Sequence, residues 1–440
     1  MTRNLHLDVN ATLPTAPARS APDRPAPAAP VDTRPARWPA SIMRRRVLAA
    51  AGSLRSGRLD VTMPDGSVHG FGPVDHPRRA SVRIRSERLW ARLLRRPRLA
   101  PGETFVDGLW DSDDPALVLE VLARETELRR RERGGRPYRW ARLRPHRPRR
   151  NDPRRARAYI HRHYDLGNDL FTAFLDPTIT YSCAVFERPD QSLEQAQVAK
   201  YERICRKLQL RPGMRVLEIG CGWGGFALHA ATHHGVHVTG VTISEQQYEL
   251  ARERVADAGL QDRIEIRLAD YRTLDGRWDR IASIEMFEAI GEREFDNYFA
   301  TVDRLLARDG IACVQTIALP DQRWDGYRRT RDWIQQYIFP GGLLPSIEAI
   351  SRSMRRSSEL MLHDLEEIGI HYARTLELWR ERFLARRHDL ADAGYDERFQ
   401  RVWEYYLSFC EAGFRSRILR DVQLVLTRPG TDDLAPIRPA

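Results

Sequence analysis

Val216-Leu217-Glu218-Ile219-Gly220-Cys221-Gly222-Trp223-Gly224-Gly225 is the stretch on which the fold turns. An extended apolar run meets a cluster of glycines, and a second apolar stretch follows at once. Glycine allows a sharp backbone reversal and lets a ligand lie against the chain, while the helix start that follows offers unpaired N–H groups. The segment reads as a strand over 214–219, a glycine turn and a helix over 224–233. Working outward, the pattern predicts a strand at 236–241, a helix at 244–258, extended segments at 263–268 and 280–284, a helix at 292–306 and a strand at 311–317. That rhythm implies a doubly wound α/β fold, a parallel sheet with right-handed crossovers. The glycine turn by itself does not name a ligand. Two residues argue against a nicotinamide dinucleotide: the acid Glu218 precedes the turn, and Thr242 stands about twenty residues on, where a ribose-binding carboxylate belongs.

The chain has 440 residues, enough for two to three domains. With 42% hydrophobic and 30% charged residues it is neither disordered throughout nor a polytopic membrane protein. Its formal charge of +11 is unevenly spread. Residues 1–157 hold 34 arginines and 17 acids, whereas residues 158–440 hold 37 basic and 43 acidic residues, so a basic front precedes an acidic body. Such asymmetry points to a polyanion, either nucleic acid or an anionic membrane surface. Lys200 and Lys207 are the only lysines, an arginine bias that weakens charge alone as an argument. Five cysteines, odd in number and without a CxxC pair, argue against a disulfide framework and a structural zinc site, and fit a reducing cytoplasm. His161, His163, His233 and His234 lack ligand spacing, so no metal is expected. Arg44-Arg45-Arg46 resembles a twin-arginine signal, but its apolar stretch stops at Arg55 and it begins far into the chain.

Along the chain, residues 1–40 read as a disordered Pro/Ala-rich leader. Residues 41–130 read as a small α+β domain, with a helix near 42–53, a strand at 58–63, a turn at Pro64-Asp65-Gly66 and a second strand at 80–84. Residues 131–157 form an Arg-rich linker, in a stretch where fourteen of the twenty-nine residues from Arg129 to Arg157 are arginine. Most of these arginines read as solvated; together they could tether the chain to anionic phospholipid. A nucleic-acid arm would need a recognition motif, and none accompanies them, so no nucleic acid is expected. Residues 158–430 read as the doubly wound α/β domain and 431–440 as a tail.

Five segments narrow the reading: His163-Tyr164-Asp165-Leu166-Gly167-Asn168-Asp169-Leu170-Phe171, Tyr181-Ser182-Cys183-Ala184, the 216–224 turn, Gly240-Val241-Thr242-Ile243-Ser244 with Gln246-Gln247, and Tyr337-Ile338-Phe339-Pro340-Gly341-Gly342. With Pro345-Ser346 and the Tyr405-Tyr406-Leu407 to Phe414 stretch, they resemble, over roughly 160–428, the cyclopropane fatty-acid synthase family and its mycolic-acid and methyl-branching relatives. These are class I S-adenosylmethionine (SAM) methyltransferases. The block Pro101 to Asp111 is similar to the lipid-facing N-terminal domain many of them carry.

The resemblance implies a class I SAM-methyltransferase Rossmann-like sheet, methyl transfer from SAM to the cis double bond of a phospholipid acyl chain, and cyclopropane formation by a bound bicarbonate that takes the proton. It places the enzyme in the cytoplasm, peripheral at the inner membrane surface. The implied anion cradle is Cys183, Glu288, Gln315, Ile317 and Tyr372. The implied SAM contacts are Tyr181 and Ser182 as lid, Glu218 at the methionine end, Gly220, Gly222 and Gly224 at the turn, Thr242 and Gln247 at the ribose, and Asp270 and Tyr271 at the adenine. Tyr181, Tyr164, Phe171, Tyr337 and Phe339 are candidates to face a carbocation. Core packing is the ordinary role of such aromatics, capping that of Asp270, and inert burial that of Cys183 and Cys221. Two departures stand out: Ala289 and Gln315 replace family histidines. They leave open a methylene or methyl-branched product finished by a partner reductase; homodimerisation is also open.

Overall fold

The computed structural model describes residues 40–134, 166–431 and 434. The leader, most of the Arg-rich linker, His161, His163, Tyr164 and Asp165, and nearly all of the tail lie outside the described residues.

The catalytic body is a seven-stranded sheet. Its strands are β5 (Arg215–Ile219), β6 (His237–Thr242), β7 (Ile264–Leu268), β8 (Trp278–Ile284), β9 (Leu306–Ala318), β10 (Met361–Glu367) and β11 (Arg420–Thr427). The order is β10-β11-β9-β8-β5-β6-β7. From β9 to β7 every pairing is parallel, and β11 runs antiparallel between β9 and β10. Val216, Leu217, Ile281, Ala312 and Val425 are buried, as a sheet covered on both faces requires. Reversal of strand order at β5 and β8 opens a crevice at the carboxyl ends of the strands, the place where this architecture binds ligands.

Helices α6 (Leu193–Lys207), α7 (Gly225–His234) and α8 (Glu245–Asp257) flank the β5–β7 half. Ser192 and Gln195 form a capping box that starts α6, and Ser244 caps α8. The helix expected over 292–306 is Phe295–Leu305, preceded by a 3₁₀ turn, and β9 begins directly at Leu306. Helices α5 (Asn168–Phe174), α11 (Trp333–Tyr337), α13 (Gly369–Ala385) and α15 (Glu397–Arg415) share one apolar core.

The N-terminal region is a four-stranded sheet, β2-β1-β3-β4, with β1 Arg58–Thr62, β2 Val68–Phe71, β3 Arg79–Ile84 and β4 Trp110–Asp111. Strand β2 was not legible in the sequence because most of its side chains face solvent and give no alternation. Helices α3 (Ala100–Val106) and α4 (Pro115–Glu132) pack on α15, and one continuous apolar core runs from Leu54 to Phe414. Tyr337 donates to Glu103 Oε1 at 2.6 Å and Arg401 Nε to Phe105 O at 2.8 Å across this seam. A Cβ on Gly102 would lie 2.6 Å from the Tyr405 ring, so glycine is what permits the close approach. The arginines that open the basic run are engaged: Arg129 pairs with Glu125 and Arg130 with Glu127, each at 2.7 Å. Among the described residues no helix is long and apolar enough to cross a membrane.

Candidate active site

The glycine turn leaves β5 with Gly220, Gly222 and Gly224 at φ of 80°, 52° and 81°, the left-handed region that glycine adopts without strain. The N–H groups of Gly220 and Cys221 both donate to Val241 O at 3.0 Å, fastening the turn to the end of β6. Glu218 is buried beneath it. Desolvation pushes its carboxyl up to about 8, the Lys200 ammonium opposing, and its Oε2 has no hydrogen-bond partner. An orphaned carboxyl oxygen beside a left-handed glycine turn fits the cationic amine of a SAM methionine end.

The next strand ends complete the row. Thr242 Oγ1 donates to Gln247 Oε1 at 2.8 Å, and Ala269 N donates to Thr242 O, bringing the end of β6 beside the Asp270-Tyr271 pair. Asp270 caps the 3₁₀ turn Tyr271–Thr273 and grips Arg272 at 2.8 and 2.6 Å, so its ordinary capping role is realised. Tyr271 is buried edge-on to Tyr298, with its hydroxyl unpartnered. Opposite, Tyr181 shares a 2.6 Å hydrogen bond with Tyr406 amid Phe171, Phe174 and Trp379. Phe339 packs edge-on to Tyr406, whereas Tyr337 turns away to the N-terminal seam.

The acid-base cluster differs from expectation in one central respect. Cys183 N–H, Gln315 Nε2 and Tyr372 Oη converge as the cradle predicts, but their common acceptor is Glu285. The distances are 2.7 and 2.8 Å to Oε1 and 2.5 Å to Oε2. Glu288 is not part of this convergence. It accepts the Ile317 N–H, its Oε2 is unpartnered, and desolvation pushes it up to about 8, which favours the protonated acid at neutral pH. The residues present therefore do not fit a bound bicarbonate: the donors meant for it are spent on a carboxylate of the chain. Glu285 itself stands at φ 51°, in the left-handed region where a residue with a Cβ is strained.

Further groups escaped the sequence reading. Lys200 is fully buried, its Nζ 2.8 Å from Ser182 Oγ, and desolvation pulls it down to about 8 against the attraction of Glu285. Asp421 is fully buried; its Oδ2 accepts from Gln315 Nε2 at 3.0 Å, the amide that also serves Glu285. Burial and the neighbouring Glu285 push the Asp421 carboxyl far up. Behind Gln315, its Oε1 accepts from Gln423, whose own oxygen accepts from Lys207 Nζ at 2.7 Å, and Lys207 ends on Glu366 at 2.6 Å. This chain fixes the Gln315 amide with its nitrogen toward the carboxyl groups. The Cys183 thiol is buried and pushed well up by desolvation, in keeping with a contact residue and not a nucleophile.

Sheet order, glycine turn and buried carboxyl cluster define a class I SAM-dependent methyltransferase. Residues 151–424 match the family model of mycolic acid cyclopropane synthetase, and the chain belongs to that family. It is similar to a tuberculostearic acid methyltransferase of Mycobacterium tuberculosis, 42% identical over 90% of this chain and 96% of that one. It is 40% identical to the cyclopropane-fatty-acyl-phospholipid synthase of Escherichia coli over 82% of this chain and 90% of that one. Among solved structures, a cyclopropane synthase of M. tuberculosis matches with a TM-score of 0.58 at 33% identity, covering 65% of this chain and all of the other. A mycolic acid cyclopropane synthase solved with SAH and CTAB matches with a TM-score of 0.57, also at 33% identity, over 62% of this chain and 98% of that one.

Proposed function

We propose that this enzyme methylates the cis double bond of unsaturated phospholipid acyl chains and that Glu285, in place of bicarbonate, accepts the proton released. The carrying observation is the anchoring of the Glu285 carboxylate by Cys183 N–H, Gln315 and Tyr372. SAM supplies an electrophilic methyl group. Glu218 and the Gly220–Gly224 turn hold its methionine end, Thr242 and Gln247 its ribose, and Tyr271 with Asp270 its adenine, while Tyr181 and Ser182 cover it. The aromatic faces of Tyr181 and Phe171 stabilise the carbocation that methyl addition leaves on the acyl chain. Glu285 then removes a proton from the added methyl. Ring closure at that moment yields a cyclopropane.

A second reading has an observation of its own. Three hydrogen bonds and Lys200 oppose the upward push of burial on the Glu285 carboxyl, which tempers its basicity and delays proton loss. A hydride shift can then come first, and the same proton loss gives a methylene branch for a partner reductase to saturate. Likeness to the tuberculostearic acid methyltransferase accords with this reading. The anionic membrane surface is met by the lipid-facing region 41–130 and the Arg-rich run to Arg157, at the cytoplasmic face.

Expression in a host rich in unsaturated phospholipid tests both readings. Each product gains one CH₂, so mass spectrometry detects the activity, and proton NMR separates upfield ring methylene signals from olefinic exomethylene ones. No gain in acyl mass would overturn the function. Glu218 gives a separate check. Its carboxyl titrates at about 8 without ligand, and a cationic amine would draw it down, so SAM binding at pH 7 should release a proton and tighten as pH rises toward 8. Calorimetry in two buffers of different ionisation enthalpy reads this release, and Glu218→Gln should abolish it.

A further inference from the structure

On the outer side of the sheet, away from the crevice, α6 and α7 bring together four residues with the side chains of metal ligands. Glu202 and Cys205 lie one turn apart on α6; His229 and His234 lie on α7. One ligand atom from each of Cys205, His229 and His234 lies within 4.8 Å of the others. Both His Nε2 atoms converge on a single oxygen, Glu202 Oε2, at 3.4 and 2.9 Å. Cys205 is fully buried, both imidazoles are partly buried, and the open side is formed by the Glu202 carboxylate, whose other oxygen has Arg206 at 3.8 Å. The sequence showed no ligand spacing for His234 and no CxxC pair, so this convergence is a product of the fold.

We propose that Glu202, Cys205, His229 and His234 bind one divalent transition-metal ion, zinc by the chemistry of the set. One thiolate, two imidazoles and one carboxylate make a four-coordinate site of intermediate softness, which suits zinc over magnesium or calcium. Bonds of about 2.0–2.3 Å put tetrahedral ligand atoms about 3.3–3.8 Å apart. The Glu202 to His229 separation already meets this range, and the Cys205, His229 and His234 ligand atoms, within 4.8 Å of one another, reach it by side-chain shifts. On binding, the Cys205 S–H gives its proton to solvent and the sulfur–metal bond forms, with no redox change. The role is structural. The ion joins α6, which carries Lys200 and Tyr201, to α7, whose first turn is the Gly224-Gly225 end of the cofactor loop; a Cβ on Gly225 would run into the Tyr201 hydroxyl. A clamp at the far end of these helices holds that contact in register.

The test is metal titration of the full-length, untagged, chelator-treated protein with Co²⁺ and then Zn²⁺. One equivalent of Co²⁺ should produce the visible bands of a tetrahedral site and a near-ultraviolet thiolate-to-cobalt band, both discharged by Zn²⁺. Cys205→Ser should lose the thiolate band, and His234→Ala, a partly exposed position, should weaken binding roughly tenfold or more with the fold retained. Zn²⁺ should raise the melting temperature of the wild type and not of His234→Ala. Absence of a stoichiometric tetrahedral spectrum, or a thiolate band that persists in Cys205→Ser and so comes from another cysteine, would overturn the site. None of these readouts depends on methyl transfer.

Discussion

Glu285→Gln is expected to lower turnover by about 10²–10⁴-fold, the usual range for loss of a positioned base, with SAM affinity nearly unchanged. Glutamine keeps the size and the one oxygen that Cys183 N–H and Gln315 address, and its nitrogen can donate to the Tyr372 hydroxyl oxygen, so the cradle survives while the proton acceptor is lost. Glu285→Gly makes the sharper case. Glutamate at φ 51° carries backbone strain of about 1–2 kcal/mol that glycine relieves, and removing the side chain frees the Cys183, Gln315 and Tyr372 donors together. That variant should be inactive in bicarbonate-free buffer and partly restored by added bicarbonate or formate, whereas the wild type should be indifferent to either. Glu288→Gln should retain most turnover, because its contact is the Ile317 N–H, which an amide oxygen also accepts. A wild type that stops when bicarbonate is removed would refute Glu285 as the base. So would a Glu285→Gln variant that turns over normally.

The displacement of three residues between Glu288 and Glu285 shows where sequence reasoning ran short. Alternating apolar segments and the glycine turn disclosed the sheet, because parallel strands buried on both faces leave a strong hydrophobic signal. The cradle's donors were also legible, and Cys183, Gln315 and Tyr372 do converge. Their acceptor was hidden, since Glu285 and Glu288 both follow the end of β8 and only the backbone turn after Ile284 decides which carboxyl faces the donors. Asp421 was hidden for another reason: it arrives on β11, far along the chain, and reaches the site through β11 pairing with β9, where Asp421 stands opposite Ile317. One signal went unused. In a chain that otherwise relies on arginine, two lysines at 200 and 207 stand out. Both are buried and both feed the carboxyl cluster, where a compact ammonium fits and a planar guanidinium does not.

That choice of lysine carries the second large expected effect. The site holds three carboxyl groups, the half-buried Glu285 and Glu288 and the buried Asp421, against the ammonium of Lys200. One cation in a dry setting supports one anion, and Glu285, with three donors, is the group that ionises. Lys200→Met removes that support. Leaving an unpaired charge behind would cost about 3–5 kcal/mol, so Glu285 takes up a proton and the base is lost at neutral pH. The sign follows from desolvation. Burial already raises the Glu285 carboxyl above its ordinary range, Lys200 opposes the rise, and without Lys200 the carboxyl climbs further. The active form is the anion, so the acid limb of the kcat/KM profile should move to higher pH by about 1–3 units, with partial recovery of rate in alkaline buffer. Circular dichroism and melting temperature at matched pH separate this outcome from misfolding. Superimposable pH profiles of Lys200→Met and the wild type would show that the ammonium does not set the charge of Glu285.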